Sequence, residues 1–362
     1  MIKFSRKKTA QGTNICVTYA ELRRRQKLLL NEKINMSLLR IIEWYEAWQG
    51  NVYIAFSGGI DSTVLLHLVR SLYPEVPAVF CNTGLEYPEI LQFVHKIGNV
   101  VWLRPPVPFH QIVVKYGYPV GSKKIARAVE VLRYPERHKA SLVTLYRDGY
   151  GVKGGYYPKW KLPEKWMKLI EAPFDVSDRC CMFLKKQPFL AYAKRTERVP
   201  FIGLMASDSY RRQFNYVRVG CNAFESAHKQ SLPMAFWLKN DVWSYIRRYK
   251  LSYAEIYDKG EHSTGCVFCL FGAHLDPSPN RFQRLHKIHP KLWNYCIHKL
   301  GLNKVMDYIG LPYDGSLYEV PMGGTRIIGE GLRSYCSLYK VAKLRRFWNF
   351  DGSVSVGDDA ET

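Results

Sequence analysis

The sequence predicts an α/β fold, in which a parallel sheet with flanking helices follows a helical N-terminal segment and precedes a cysteine-containing C-terminal region. From residue 51 onward, apolar runs of strand length alternate with helix-length segments. Strand–helix–strand units of this size form parallel sheets with right-handed crossovers. A second observation is a glycine turn between the first predicted strand and its helix, which is typical of a ligand-binding α/β sheet.

The elements follow from the local patterns in chain order. Residues 19–49 carry helical patterning, and Gly50 marks its end. The other predicted elements are four strands (52–56, 76–82, 100–103, 201–205) and two helices (86–97, 184–195). Ligands of such sheets bind beyond the carboxyl ends of the strands. We therefore expect the residues after positions 56 and 82 to share a site.

The turn after the first strand has the chemistry of an anion site. Its helix presents free backbone N–H groups at the N-terminus, where the macrodipole also favours negative charge. Gly58 and Gly59 allow a close approach that a Cβ would block, and Ser57, Ser62 and Thr63 add hydroxyl groups. The expected ligand is phosphate, pyrophosphate or sulfate; a chance glycine turn capped by serine is the alternative.

No Lys-Ser/Thr pair closes the turn, so it is not a Walker loop. Residues 56–63 instead resemble the Ser-Gly-Gly-x-Asp-Ser loop of the PP-loop ATP pyrophosphatases (adenine nucleotide alpha hydrolase-like fold) and their relatives, the adenylyl-sulfate and phosphoadenylyl-sulfate reductases. The resemblance implies a bound adenine nucleotide, with Asp61 as a catalytic residue that helps to hold Mg²⁺. Helix capping is the alternative role for Asp61. Asn82, Thr83 and Gly84 resemble the family's turn beside the adenosine, against the alternative of an ordinary turn.

Four of the nine cysteines form two groups. Cys180 and Cys181 are adjacent, and Cys266 and Cys269 form a Cys-x-x-Cys turn. Thiolates at such spacing suit zinc or iron, but adjacent thiolates are awkward for a tetrahedral zinc site. The pattern resembles the arrangement in adenylyl-sulfate reductases, which implies a [4Fe–4S] cluster; structural zinc and free thiols are the alternatives.

The segment between the two cysteine groups also resembles this family. Residues 203–212 are similar to its Gly-x-Arg-x-x-Glu-Ser-x-x-Arg stretch, which implies that Arg211 and Arg212 are anion ligands and that Arg212 is catalytic. Solvated surface charges are the alternative for both arginines. Residues 237–246 and 257–260 resemble the segment that leads into the cluster cysteines. A further turn, residues 117–124, brings Lys123 or Lys124 toward a phosphate or leaves them solvated.

Three departures from the family pattern bear on the substrate. Met205 stands where the family often has an arginine, the phosphate loop is intact where many reductases keep only part of it, and the last cysteine, Cys336, does not resemble the family's C-terminal nucleophile. The intact loop is commoner among relatives that cleave ATP. These features favour ATP over phosphoadenylyl-sulfate as the nucleotide.

The charge balance points to a polyanionic partner. The chain has 53 Lys and Arg residues against 31 acids, a net charge of +22, and 25 tyrosines. Such a surface attracts nucleic acid, either tRNA or DNA, although a sulfonucleotide is itself anionic. No apolar run is long enough to span a bilayer and the N-terminus lacks the apolar core of a signal peptide, so we expect no membrane partner and a cytoplasmic location.

We predict four regions: a helical segment (1–50), a nucleotide-binding domain (51–235) with a basic insertion at about 115–170, a cluster-binding region (236–300) and a basic region with a frayed tail (301–362). The insertion contains 13 Lys and Arg residues and four Asp and Glu residues.

The favoured hypothesis is an iron–sulfur enzyme of sulfur metabolism that transfers sulfur to a nucleic acid with ATP, served by a sulfur or electron donor protein. A thiol-dependent phosphoadenylyl-sulfate or adenylyl-sulfate reductase that releases sulfite is the alternative. A regulatory nucleic-acid-binding protein with a nucleotide-sensing site is the alternative from another class.

Overall fold

The computed structural model describes residues 7–8 and 14–314, and a four-stranded parallel sheet organises them. Its strands are β3 (Val52–Phe56), β4 (Ala78–Cys81), β5 (Val100–Leu103) and β6 (Val199–Ile202), in the spatial order β5–β4–β3–β6. A short antiparallel pair, β1 (Lys7–Lys8) and β2 (Asn14–Ile15), precedes it. The parallel sheet confirms the predicted fold class.

The described helices fall before, around and after the sheet. They are α1 (Tyr19–Gln26), α2 (Leu30–Ala47), α3 (Ile60–Arg70), α4 (Pro88–His95), α5 (Phe109–Tyr116), α6 (Lys123–Arg133), α7 (Ala140–Asp148), α8 (Gln187–Thr196), α9 (Tyr210–Val219), α10 (Lys239–Tyr249), α11 (Arg281–Ile288), α12 (Pro290–Asn294) and α13 (Leu302–Ile309). Short 3₁₀ segments include Glu164–Ile170, and a π-helical turn, Met182–Lys186, leads into α8.

Apolar side chains cover both faces of the sheet. Ile54, Phe56 and Phe80 belong to the main core, whereas Tyr53 and Val79 face a smaller cluster that Tyr192 and Phe189 of α8 complete. The alternation follows from the period of two along a strand. A sheet that is covered on both faces leaves the ends of its strands as the place for a ligand.

The N-terminal helix was predicted over residues 19–49, and this prediction is wrong in one respect. The helix is interrupted between Gln26 and Leu30. There the buried Lys33 ammonium donates to the carbonyl of Gln26 at 2.8 Å and to the Asp241 carboxylate at 2.6 Å. The break therefore supplies a carbonyl to a buried charge, a contact that the helical pattern does not reveal.

The basic insertion contains α6, α7 and the 3₁₀ segment Glu164–Ile170. Its loop runs through residues 149–161. The predicted frayed tail and Cys336 lie outside the described residues, as does most of the predicted region 301–362. Over the ranges that the structure describes, no helix has the length and apolarity to cross a membrane.

Candidate functional site

The glycine turn lies where the strand order of the sheet reverses. The chain leaves β3 into the turn, crosses to β4 on one side and has β6 as its neighbour on the other. Ligands of open α/β sheets bind in the crevice at such a switch point. The two sides approach closely, because a Cβ on Gly203 after β6 would lie 3.0 Å from the backbone oxygen of Asp61.

The turn itself is closed by its own hydroxyl groups. Gly58 has φ +72°, and a Cβ there would lie 2.8 Å from Ile90. The Ser62 hydroxyl donates to the Gly59 carbonyl at 2.8 Å and accepts from the Ser57 N–H at 3.2 Å. The buried Thr63 hydroxyl donates to the same Gly59 carbonyl at 3.1 Å. Ser57 is the exposed hydroxyl of this set, and it lies 3.1 Å from that of Ser62.

Asp61 in the first turn of α3 belongs to a small charged group. Its carboxylate accepts a hydrogen bond from the Lys239 ammonium at 2.9 Å. Burial raises the pKa of Asp61, the Lys239 and Arg212 charges oppose this rise, and Asp208 adds to it. Arg212 in turn forms an ion pair with Asp208. The structure thus brings Asp61 and Arg212 into one electrostatic group at the switch point.

Met205 lies in the same stretch after β6 but takes no part in that group. Its side chain is buried in the main core. A thioether packed there offers no cationic contact to a phosphate.

The turn after β4 is held by Glu86. The Glu86 carboxylate accepts from the Thr83 N–H at 3.0 Å and from the Thr83 hydroxyl at 2.7 Å. The Asn82 side-chain oxygen accepts from the Gly84 N–H at 3.0 Å. Asn82, Thr83 and Gly84 therefore form a rigid turn at the carboxyl edge of the sheet, beside the residues that follow β3.

All four grouped cysteines line a single cavity. Cys180, Cys181, Cys266 and Cys269 share it with one cationic side chain, Lys185. Its remaining walls are apolar: Leu85, Phe109, Pro119, Leu184 and Phe268. No three Cys, His, Asp or Glu side chains of the described ranges stand close enough together for one metal ion. The four thiols nevertheless form a donor set that suits an iron–sulfur cluster, in which each thiolate binds a different iron. Lys185 places one positive charge in the otherwise apolar cavity wall.

The thiols are electrostatically unequal. A hydrogen bond between Cys180 and Cys181 raises the pKa of Cys180 and lowers that of Cys181, and the nearby Lys123 and Lys185 also lower the latter. Burial lowers the pKa of Lys185, but the nearby Cys266, Glu86 and Cys181 together outweigh this effect, so the pKa of Lys185 is raised. The thiolate, which is the deprotonated form of cysteine, is the form that binds metals.

One segment, residues 257–266, joins the glycine turn to the cysteine cavity. The Tyr257 hydroxyl accepts from the Ile60 N–H at 3.1 Å and lies 3.0 Å from the Thr264 hydroxyl. Cys266 follows two residues later. The next residue, Val267, donates its N–H to the Leu85 carbonyl at 2.9 Å, directly after the turn that Glu86 holds. We call residues 257–266 the bridging segment.

Two buried carboxylates, Glu261 and Glu89, form ion pairs that hold the bridging segment in place. Glu261 accepts two hydrogen bonds from the Arg284 guanidinium, each at 3.0 Å. Lys259 forms an ion pair with Glu89, which His289 also contacts at 3.0 Å. Pairing at both ends satisfies charges that would be costly to bury alone.

Three residues that make contacts here were not predicted from the sequence. Lys239, Tyr257 and Thr264 received no role, although Lys239 and Tyr257 lie in stretches that resemble the family. That resemblance is the one signal in the sequence that singles out either residue. For Lys123 the sequence left open a phosphate contact or a solvated side chain, and the structure places this lysine beside the Cys181 thiol.

Comparison with known proteins agrees with this architecture. The phosphoadenosine phosphosulfate reductase domain matches residues 51–118 and 157–270, which is half of the chain. The chain belongs to this family. The match omits residues 119–156, so the gap falls inside the predicted basic insertion.

Curated relatives include enzymes and uncharacterized proteins. An adenosine 5′-phosphosulfate reductase of Anoxybacillus flavithermus is 24% identical over 248 residues, which cover 68% of this chain and 83% of the relative. Two uncharacterized proteins of Methanocaldococcus jannaschii are also 24% identical, over 74% and 69% of this chain. The chain spans about half the length of these two, 53% and 41%.

Among solved structures, the phosphoadenylyl-sulfate reductase of Candida auris has a TM-score of 0.37 at 15% identity and covers 70% of this chain and 97% of its own. The FMN adenylyltransferase of Candida glabrata has a TM-score of 0.38 at 13% identity, with 68% of this chain and 67% of its own covered.

Proposed function

We propose that this protein is an iron–sulfur enzyme that binds ATP at residues 57–63 and uses it to transfer sulfur to a nucleic acid. One observation carries the proposal: the bridging segment contacts the glycine turn through Tyr257 and supplies Cys266 to the cysteine cavity. The bound nucleotide and the thiol-bound sulfur would then both adjoin the bridging segment.

The glycine turn would hold the phosphates of ATP. The first-turn N–H groups of a helix lack intrahelical partners and favour an anion. Asp61 would share Mg²⁺ with the phosphate oxygens, because hard cations prefer oxygen ligands. Lys239, which now pairs with Asp61, and Arg212 would offset the charge that develops on the α-phosphate.

The reaction would proceed in two displacements. An oxygen of the nucleic acid attacks the α-phosphorus, and the bond to pyrophosphate breaks. Sulfide then attacks the activated carbon, and AMP leaves with the former acceptor oxygen. A [4Fe–4S] cluster bound by Cys180, Cys181, Cys266 and Cys269 would supply the sulfide, while Lys123 and Lys185 balance the thiolate charge.

Met205 supports ATP over a preformed sulfonucleotide. The family often has an arginine at this position, and here the side chain is buried in the core. A cationic contact to a sulfonucleotide would therefore be missing. A sulfite-releasing reductase is the second candidate, favoured by the relative from Anoxybacillus flavithermus, which this chain covers over 83% of its length.

One assay separates the two candidates. The protein is purified anaerobically, reconstituted with iron and sulfide, and incubated with ATP or with phosphoadenylyl-sulfate. Pyrophosphate release from ATP that RNA or DNA stimulates is the expected result. Sulfite release from phosphoadenylyl-sulfate with a thiol donor, without pyrophosphate release from ATP, would replace the proposal with the reductase.

A further inference from the structure

The loop after α7 has a surface that the reaction above does not use. We call residues 149–161 the aromatic loop. Gly149 ends α7 with φ +88°, and the Tyr157 N–H donates back to the Gly149 carbonyl at 2.6 Å. Inside, the Gly151 N–H donates to the Gly155 carbonyl at 2.9 Å. These bonds fold the loop back on itself, and residues 149–156 of it fall in the gap of the family match.

The loop exposes four large aromatic rings within eleven residues. Tyr150, Tyr156, Tyr157 and Trp160 each leave between 47% and 58% of their surface exposed. Single exposed apolar side chains are ordinary, but a concentration of rings marks a contact surface. Tyr150 and Tyr156 lie 5.1 Å apart at 43°, so their faces are not closed by stacking on each other.

Lysines are interleaved with these rings. Lys153, Lys159 and Lys161 are exposed, and no carboxylate of the described ranges pairs with any of them. Exposed rings favour an apolar or a planar partner, whereas three unpaired cations require an anionic one. A strand of nucleic acid with unpaired bases meets both requirements, since its bases stack on rings and its phosphates attract lysine.

The base of the aromatic loop adjoins the cysteine cavity. Lys124, at the start of α6, donates a hydrogen bond to the Lys159 carbonyl. Its neighbour Lys123 interacts with the Cys181 thiol, and Pro119 lines the cavity itself. A strand lying on the loop would therefore be led toward the thiols.

We propose that the aromatic loop binds a single-stranded stretch of nucleic acid, stacking bases on Tyr157 and Trp160 and contacting phosphates through its lysines. The inference deepens the proposed function, since it assigns the surface that positions the sulfur acceptor. The shared chemistry is that of unpaired bases on a phosphodiester chain, which RNA and DNA both offer.

Fluorescence anisotropy of the full chain, without ATP, tests this surface. The probes are labelled 20-nucleotide oligouridylate and oligothymidylate, and each of them annealed to its complementary strand. We expect both single strands to bind at least tenfold more tightly than the duplexes, and whichever of the two binds better identifies the source. The double variant Tyr157→Leu/Trp160→Leu keeps apolar bulk without aromatic faces and should weaken binding at least tenfold.

Two controls isolate stacking from charge. Tyr249→Leu removes a ring of similar exposure on α10 and should change the affinity less than twofold. Lys153→Gln should reduce the slope of log affinity against log salt by about 0.7, the value for one lost contact to a single strand. Thermal unfolding of each variant identifies misfolded protein, and ultraviolet crosslinking of the unaltered chain, mapped by peptide, gives a reading that no substitution affects.

Equal affinity for duplex and single strand, an unchanged affinity in the double variant, or crosslinks confined to residues outside 140–170 would overturn the inference. These readings need neither ATP nor the cluster. The sulfur-transfer proposal can therefore fail while the loop binds nucleic acid, and the loop can fail to bind while pyrophosphate release is still observed.

Discussion

Alanine at Gly59 tests the contact between the glycine turn and the bridging segment. A Cβ at this position would lie 2.7 Å from the Thr264 hydroxyl oxygen and 3.1 Å from that of Tyr257. Ordinary contact begins at 3.4 Å, so Thr264 must move by about 0.7 Å, the difference between the two distances. Gly59 has φ −79°, which alanine adopts without strain, so any effect comes from the contact and not from the backbone.

Overpacking of this kind destabilises proteins by about 1–3 kcal/mol. We expect urea unfolding to show a loss in that range for Gly59→Ala. If the glycine turn binds the phosphates of ATP as proposed, ATP affinity should fall by about tenfold, equivalent to ~1.4 kcal/mol, because the added methyl group displaces the turn. Adding Thr264→Ala should restore part of both losses, with a coupling energy of at least ~0.5 kcal/mol in the double-mutant cycle.

Gly265→Ala is the matched control. It adds a methyl group to the same segment, at a position with nothing within 4 Å and no positive φ. Its effect should stay within about 0.5 kcal/mol. A Gly59→Ala variant as stable as Gly265→Ala, or additive effects of the Gly59 and Thr264 substitutions, would contradict this prediction.

Three further predictions follow from the charged and thiol groups. Because burial raises the pKa of Asp61, the ionised carboxylate lowers the stability of the folded protein above that pKa. Asp61→Asn should therefore raise the unfolding free energy at pH 7, and the difference from the unaltered protein should shrink as the pH falls toward 4. The same variant should lose Mg·ATP binding in calorimetry. Cys181→Ser should lose the bound iron and the visible absorbance of the reconstituted protein, whereas Cys16→Ser, outside the cavity, should keep both; a colourless native protein with stoichiometric zinc would contradict the cluster. Arg284→Met leaves the buried Glu261 carboxylate unpaired and should cost about 3–5 kcal/mol in urea unfolding, and a loss below 1 kcal/mol would contradict the anchoring role.

Local patterns in the sequence were sufficient for the sheet and the glycine turn. β3 and β5 have the predicted bounds, and β4 is confirmed over a shorter range, because strand pattern and turn chemistry are encoded by neighbouring residues. The fourth strand was predicted over 201–205, but β6 lies earlier, at Val199–Ile202. The two cysteine groups line one cavity, and the cluster that the resemblance implies there stays a prediction.

Contacts between distant residues were not predictable in this way. Lys239 is 178 residues from Asp61, and Tyr257 is 197 residues from Ile60. The break before α2 depends on Lys33 and Asp241, which are 208 residues apart. Each of these contacts depends on tertiary packing that no local period or propensity encodes.

The most direct test of the account measures sulfur and pyrophosphate together. The reconstituted protein is incubated with ATP, radioactive sulfide and a nucleic acid that it binds, and both products are counted. We predict one pyrophosphate released for each sulfur incorporated. In Cys266→Ser, sulfur incorporation should be lost and pyrophosphate release should fall to the single turnover of the first displacement. Sulfur incorporation that proceeds without ATP, or pyrophosphate release that Cys266→Ser leaves unchanged, would contradict the claim that the glycine turn and the cysteine cavity act as one site.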